Sequence, residues 1–274
     1  MFKINEVRLS NDEDFKMFRT LAISTDEWII KYNKNDIKVY TKWTDDSRIK
    51  LIKVSAMFEG VSLDCLYDVI HDPDYRKVWD KDMYDSYDVC KLNSNNVIGW
   101  YAAKLPPPLM FRDWCLLRTW RKTNQEFSIF NHSVQHMKIP VRKMFVRSHS
   151  YVSGYYGEKI TDTCTKITFV SQTDPKGKLP KWFVNTLATV MSPRIMKKLH
   201  KTSLAYTKWK SKNNPHNKPW LDKDINLPLL DFNDIILSTE SETAANEIDE
   251  VDLEQQEKLS IDLDQQEKLS SESE

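Results

Sequence analysis

Apolar positions along the chain switch between two periods. Asn11-Asp12-Glu13-Asp14 sets acids over a first helical turn, and Phe15, Phe18 and Ala22 follow at helical spacing. Strand-like runs come next, at Trp28–Tyr32, Ile37–Thr41 and Ile49–Phe58. In the last of these, Ile52, Val54, Ala56 and Phe58 alternate with Leu51, Lys53, Ser55 and Met57, so one strand face is wholly apolar. Gly60 breaks the strand. Ser62 then caps a helix to about Ile70, with Leu63, Leu66, Tyr67 and Ile70 on one face, and His71-Asp72-Pro73 stops it. Asp74–Asp82 reads as short helix or irregular chain.

A long series of strands is predicted after that: Tyr84–Leu92, Val97–Lys104, Asp113–Arg121, Phe127–His136, Met144–Tyr156 and Thr161–Thr173. Turn chemistry separates them, as in Asn93-Ser94-Asn95-Asn96, Pro106-Pro107-Pro108, Lys122-Thr123-Asn124, Gly157-Glu158-Lys159 and Asp174-Pro175-Lys176-Gly177. Sequential strands with short connections form antiparallel meanders, and no βαβ alternation is present. A long helix follows from about Leu179 to Lys212, with Pro193 as its expected kink. The order of elements predicts an α+β fold with one mostly antiparallel sheet and a long closing helix.

Charge divides the chain. Its 274 residues carry no net charge, but residues 238–274 hold a net of −11 and the rest a net of +11. Eleven Lys and Arg with no acid lie between Lys176 and Leu221. The end of the chain is polar and contains a ten-residue tandem repeat at 251–260 and 261–270, which predicts a disordered acidic tail after a body of residues 1–230. Glu242 and Glu274 stand three residues after Thr239 and Ser271, a pattern that acid-directed kinases prefer. No apolar run reaches 18 residues and no leader-like run opens the sequence, so a cytoplasmic protein is expected.

Enzyme chemistry has little to stand on. There is no HExxH, Walker loop or GxSxG, and only five glycines are available for a phosphate cradle. Four scattered cysteines form no CxxC pair. His132 and His136, placed on one strand, would lie ~13 Å apart and could not share a metal. Neither a metal nor a cofactor is expected. The aspartates 72, 74, 80, 82, 85 and 88 read as a solvated rim.

Three groups leave alternatives open. Arg76 and Asp80 share a face if their stretch is helical; they form either a surface ion pair or a buried guanidinium held for a phosphate. Tyr101, Trp114 and Tyr151 sit on three strands, either as core or as a cage for a quaternary ammonium. The basic helix, with Lys181, Trp182, Arg194, Lys197, Lys198 and Lys201, is either a solvated face or a membrane-docking surface. Nucleic acid is the weaker alternative, because Arg194 is the sole arginine among the eleven cations.

Several segments together resemble the START-domain lipid-transfer family, in its phosphatidylcholine-transfer-protein-like branch. They are Leu66-Tyr67-Asp68-Val69-Ile70-His71-Asp72, Tyr75-Arg76-Lys77 with Trp79-Asp80, Arg112-Asp113, and Asp174-Pro175-Lys176-Gly177 with Leu179-Pro180-Lys181-Trp182. Met196-Lys197-Lys198 and Lys218-Pro219-Trp220-Leu221 complete the match, which covers roughly residues 10–230. The resemblance implies a helix-grip fold, in which a curved sheet wraps a long C-terminal helix and encloses one lipid. It implies a phosphate on Arg76, Asp80 holding that arginine, and choline among Tyr101, Trp114 and Tyr151. Tyr101 stands where the choline-specific member has tryptophan, and Trp114 where it has tyrosine, which leaves choline and ethanolamine both open. A non-enzymatic monomer that meets anionic membranes transiently and binds no nucleic acid is expected. The resemblance further implies phosphorylation near the C-terminus, with Ser271 and Thr239 as candidate sites for an acid-directed kinase. A lipid sensor that keeps its ligand and acts through a protein partner is the alternative.

Overall fold

The computed structural model describes residues 3–44, 47–105, 109–177, 191–222 and 225–236. Its centre is one curved ten-stranded sheet in the order β1-β2-β3-β10-β9-β7-β6-β5-β4, with β8 paired to β6. The strands are β1 Ile29–Lys34, β2 Ile37–Thr44, β3 Ser47–Glu59, β4 Met83–Asn93, β5 Asn96–Ala103, β6 Phe111–Lys122, β7 Glu126–Ser133, β8 Phe145–Arg147, β9 His149–Thr161 and β10 Cys164–Asp174. The described helices are α1 Asp12–Ile23, α2 Leu63–His71, α3 Pro73–Trp79 and α4 Ser192–Lys210.

The two faces of the sheet are covered differently. On one face lies α1, started by a capping box in which Asn11 and Asp14 bond to each other's backbone N–H. Phe15, Phe18 and Ala22 pack there against Leu51, Phe130, Val152, Tyr156 and Val170. The Phe18 ring stacks on Phe130 with centroids 4.7 Å apart. On the other face, α2, α3 and α4 enclose the core. Leu66, Tyr67 and Ile70 of α2, Trp79 of α3, and Met196, Leu199 and Tyr206 of α4 meet Val54, Ala56 and Phe58 of β3 there. The apolar face read for β3 is therefore the one that receives the helices, and Leu51, of the opposite parity, packs under α1.

Asp72 joins two helices. It ends α2 and starts α3, where Pro73 occupies the first turn. Its carboxylate accepts from the backbone N–H of Asp74 and Tyr75 at 3.0 Å each, from the Tyr206 hydroxyl at 3.0 Å and from Lys210 Nζ at 2.8 Å. Asp68, one turn earlier, accepts from Lys218 Nζ and Trp220 Nε1. The acidic rim expected around Asp72 is thus not wholly solvated, since this residue is 1% exposed. Two of the eleven cations read as a basic surface, Lys210 and Lys218, instead hold the end of α4 and the following turn to α2.

Further differences from the sequence reading have local causes. The run Met144–Tyr156 is two strands, because β8 pairs in parallel with β6 while β9 crosses to β7 and β10. The chain changes partner at Ser148, whose N–H bonds to Asp113 O at 2.9 Å. Gly157 is not a turn. It lies mid-strand in β9, where the Phe127 ring occupies the space a Cβ would need, at 2.3 Å. The reversal comes instead at Asp162-Thr163. Pro193 lies in the first turn of α4 as described, and the residues expected before its kink fall outside the described residues.

Candidate functional site

A spacing of one helical turn sets Arg76, on α3, beside Asp80 at the helix's C-terminal cap. Asp80 caps the helix with its own N–H to Arg76 O at 2.8 Å, and its Oδ1 accepts from Met83 N at 3.2 Å. Its Oδ2 accepts from Arg76 Nε at 3.2 Å. Asp80 is therefore oriented by backbone on one oxygen and holds the guanidinium with the other. Arg76 lies over the Tyr101 ring, 4.9 Å from its centroid.

Arg76 is half-buried, with 27% of its side-chain surface accessible against 12% for Asp80. Burial opposes its charge, but Tyr101, Asp80 and Tyr155 outweigh that, so its pKa lies above the ordinary arginine value. Burial pushes the Tyr101 phenol up to about 12, and it raises Tyr155 as well. Both are neutral at pH 7. Beyond Asp80 and Tyr101, the guanidinium makes no hydrogen bond among the described residues. Its outer edge remains available.

The sheet presents further side chains on the face that carries Tyr101. Tyr101, Trp114, Leu116, Asn131, Tyr151, Ser153, Tyr155, Phe169 and Ser171 occupy alternate positions on the helix-covered face, and each is only half-buried. Their neighbours of opposite parity, such as Ala102, Cys115, Val152 and Val170, are fully buried. The helix-covered face of these central strands is therefore less tightly covered than the opposite face.

The cage residues are only partly gathered. Tyr101 and Trp114 pair across β5 and β6 with ring centroids 5.7 Å apart. Tyr151 lies on the same sheet face and makes no ring contact with either among the described residues. Tyr155 is the residue the sequence reading missed. It has the parity of Tyr151 one strand-repeat further on, roughly 13 Å away, and its ring tilts against Phe169 at 5.0 Å. Tyr151 and Tyr155 are an i, i+4 pair on a strand, so either could have been chosen.

The remaining candidates lie elsewhere. Arg194, Lys197 and Lys201 are exposed and Lys198 is half-buried, all on α4. Lys181, Trp182, Thr239 and Ser271 lie outside the described residues. His132 and His136 do not share a strand, since β7 ends at Ser133. No group of three His, Cys, Asp or Glu among the described residues could hold a metal. Cys90 Sγ lies 3.6 Å from His136 Nε2, which resembles a nucleophile and its base. The imidazole Nδ1, however, accepts from Lys138 N–H, so the proton sits on Nε2. Burial also pushes the Cys90 thiol up to about 11, the reverse of activation.

A profile of the START domain matches residues 8–210. The chain belongs to the START family. Mouse START domain-containing protein 10 is 36% identical over 247 residues, covering 89% of this chain and 84% of that protein. Mouse phosphatidylcholine transfer protein is 24% identical over 191 residues, covering 68% and 88% respectively. A crystal structure of human STARD10 superposes with a TM-score of 0.79 at 35% identity over 86% of this chain and 97% of that one. Human StAR-related lipid transfer protein 5 shares the START fold, with a TM-score of 0.61 at 19% identity over 72% of this chain and 93% of that one. No described helix is long and apolar enough to cross a membrane.

Proposed function

We propose that this START-family chain carries one phospholipid, phosphatidylcholine or phosphatidylethanolamine, in the hollow between its sheet and its helices. The observation that carries the reading is Arg76: a half-buried guanidinium, paired with Asp80 on one side, with its outer edge accessible. The outer edge offers a planar donor fork suited to a phosphate, and Asp80 balances its charge. Tyr101 and Trp114 offer π faces to an ammonium, and Tyr151 extends that wall. Ile52, Leu116 and Phe169 supply apolar lining for acyl chains, each methylene of which gains about 0.8 kcal/mol by leaving water. None of this needs bond chemistry. Arg194, Lys197, Lys198 and Lys201 would meet an anionic bilayer during exchange.

Native mass spectrometry of the purified chain tests the reading. It should show one bound phospholipid, absent from Arg76→Ala, with far-ultraviolet circular dichroism unchanged. Normal loading in that variant removes Arg76 from the site. A donor-to-acceptor vesicle assay separates a carrier from a sensor that keeps its ligand.

A further inference from the structure

The connection from β7 to β8 is built unlike an ordinary surface loop. Its backbone is anchored from inside. Ile139 is buried at 2% exposure, and the Arg147 guanidinium, itself held by both Asp113 oxygens at 2.9 Å, donates to the carbonyls of Ile139 and Pro140. Arg142 lies over the Trp100 ring at 4.7 Å and donates to the Tyr87 hydroxyl at 2.8 Å. This fixed frame turns three large apolar side chains outward: Met137, Val141 and Met144 are 60%, 67% and 52% exposed. Lys138, Arg142 and Lys143 are interleaved with them, and residues 137–144 contain no acid. Asp234 pairs with Lys138 at 2.9 Å, at one end of the loop.

The loop's place in the fold gives it a use. Phe145 pairs with Phe111, which sets Met144 beside Met110, where the chain enters β6. Arg112 donates to the carbonyls of Met110, Pro175 and Lys176, so the chain leaves β10 toward the last helix at that same end. Tyr101 and Trp114 lie on the same half of β5 and β6. The loop therefore stands at the end of the sheet nearest the candidate headgroup residues.

We propose that Met137–Met144 is a second lipid-contact surface, separate from the cations of α4, which enters the headgroup layer of an anionic bilayer. Fixed apolar tips flanked by cations suit an interface that is apolar below and negatively charged above. Methionine, unbranched and polarisable, fills irregular apolar surroundings. A rigid loop loses little conformational freedom on insertion. The proposal rests on the carrier reading, because a carrier must meet a bilayer.

The test uses the full chain with vesicles of three parts phosphatidylcholine to one part phosphatidylserine. An environment-sensitive fluorophore on Val141→Cys should brighten with vesicles. The same label on Thr163→Cys, in the β9–β10 turn, should not. Unlabelled-site background from the native cysteines is measured on the wild-type chain. The double substitution Val141→Asp with Met144→Asp should lower vesicle partitioning roughly tenfold while co-purified phospholipid stays at the wild-type level. A silent label on Val141→Cys while the chain sediments with vesicles overturns the proposal, as does unchanged partitioning of the double variant. Brightening that rises with protein concentration in the absence of vesicles would mark a contact between copies and also overturn it. If no phospholipid co-purifies but the Val141 label responds to vesicles, the loop assignment stands and the carrier reading alone fails.

Discussion

The acids of two acid–base pairs lie along the same pair of short helices, and the pairs are built for opposite ends. Asp72, at the α2–α3 junction, receives two backbone N–H groups, a phenol and Lys210 Nζ, and is 1% exposed. Eight residues later, Asp80 receives one backbone N–H and Arg76 Nε, and its partner keeps 27% of its side-chain surface accessible. The first pair is saturated and joins residues 138 apart. The second pair is local and leaves donors unused among the described residues. Saturation of a buried ion pair marks it as part of the fold, whereas accessible, unused donors mark a group free to bind something else.

The comparison breaks most visibly by deleting the cations. Lys210→Ala leaves a buried carboxylate without its charge partner and should cost about 3–5 kcal/mol in denaturant unfolding. Lys210→Met keeps the packing of the stem and still strands Asp72, so it should recover only part of that loss. Arg76→Ala should cost only on the order of 1 kcal/mol, because Asp80 keeps Met83 N–H and the arginine side chain is only half-buried. Its effect should fall on lipid loading. If Arg76→Ala unfolds the chain as readily as Lys210→Ala, the two pairs are of one kind and the distinction fails.

Acid provides a smaller and independent probe of the fold side. His71, beside Asp72, is buried among Tyr67, Trp120 and Trp220, and its Nε2 has no hydrogen-bond partner among the described residues. Burial, with Arg118 nearby, holds its pKa well below the usual value of 6.5. Burial likewise lowers His132 and His136. Below pH 6.5 the unfolded chain binds protons that the native chain refuses, so stability present above that pH is lost as pH falls through it. The slope is at most about 1.4 kcal/mol per pH unit for each histidine. His71→Phe, which keeps the ring contacts, should flatten the loss between pH 6.5 and 5. An unchanged acid profile in that variant would show that His71 is not among the groups refusing protons.

The sequence carried the element order well, because strand parity, helix caps and turn residues are local signals. Ile52, Val54, Ala56 and Phe58 revealed their face by alternation alone, and Arg76 and Asp80 their partnership by a spacing of four. Long-range facts were not legible. Asp72 looked like one acid among six, since the lysine that buries it arrives at position 210. Gly157 looked like a turn, because the Phe127 ring that forbids a side chain there belongs to another strand. Tyr151 and Tyr155 have equal parity, and only the fold shows that Tyr155 is near enough to Arg76 to interact with it. The sequence could pair the guanidinium with its acid but not show how much of either stays accessible, since accessibility depends on every element around it.

Tyr155 offers the smallest test and the one that most sharpens the comparison. Its phenol lies near enough to Arg76 to interact with it, on the helix-covered face of the sheet, and is neutral at pH 7 because burial raises its pKa. Tyr155→Phe removes the hydroxyl and keeps the ring against Phe169. If the hydroxyl donates to the same phosphate as the guanidinium, its loss should weaken phospholipid retention by roughly fivefold, the equivalent of one hydrogen bond of about 1 kcal/mol. Tyr151→Phe, one strand-repeat away, should do less. Retention can be followed as the rate at which a fluorescent phospholipid leaves the protein for excess acceptor vesicles. Combined with Arg76→Lys, the Tyr155→Phe effect should shrink, because two groups serving one phosphate are not additive. Additive losses would separate them and confine the unsatisfied remainder to Arg76 alone.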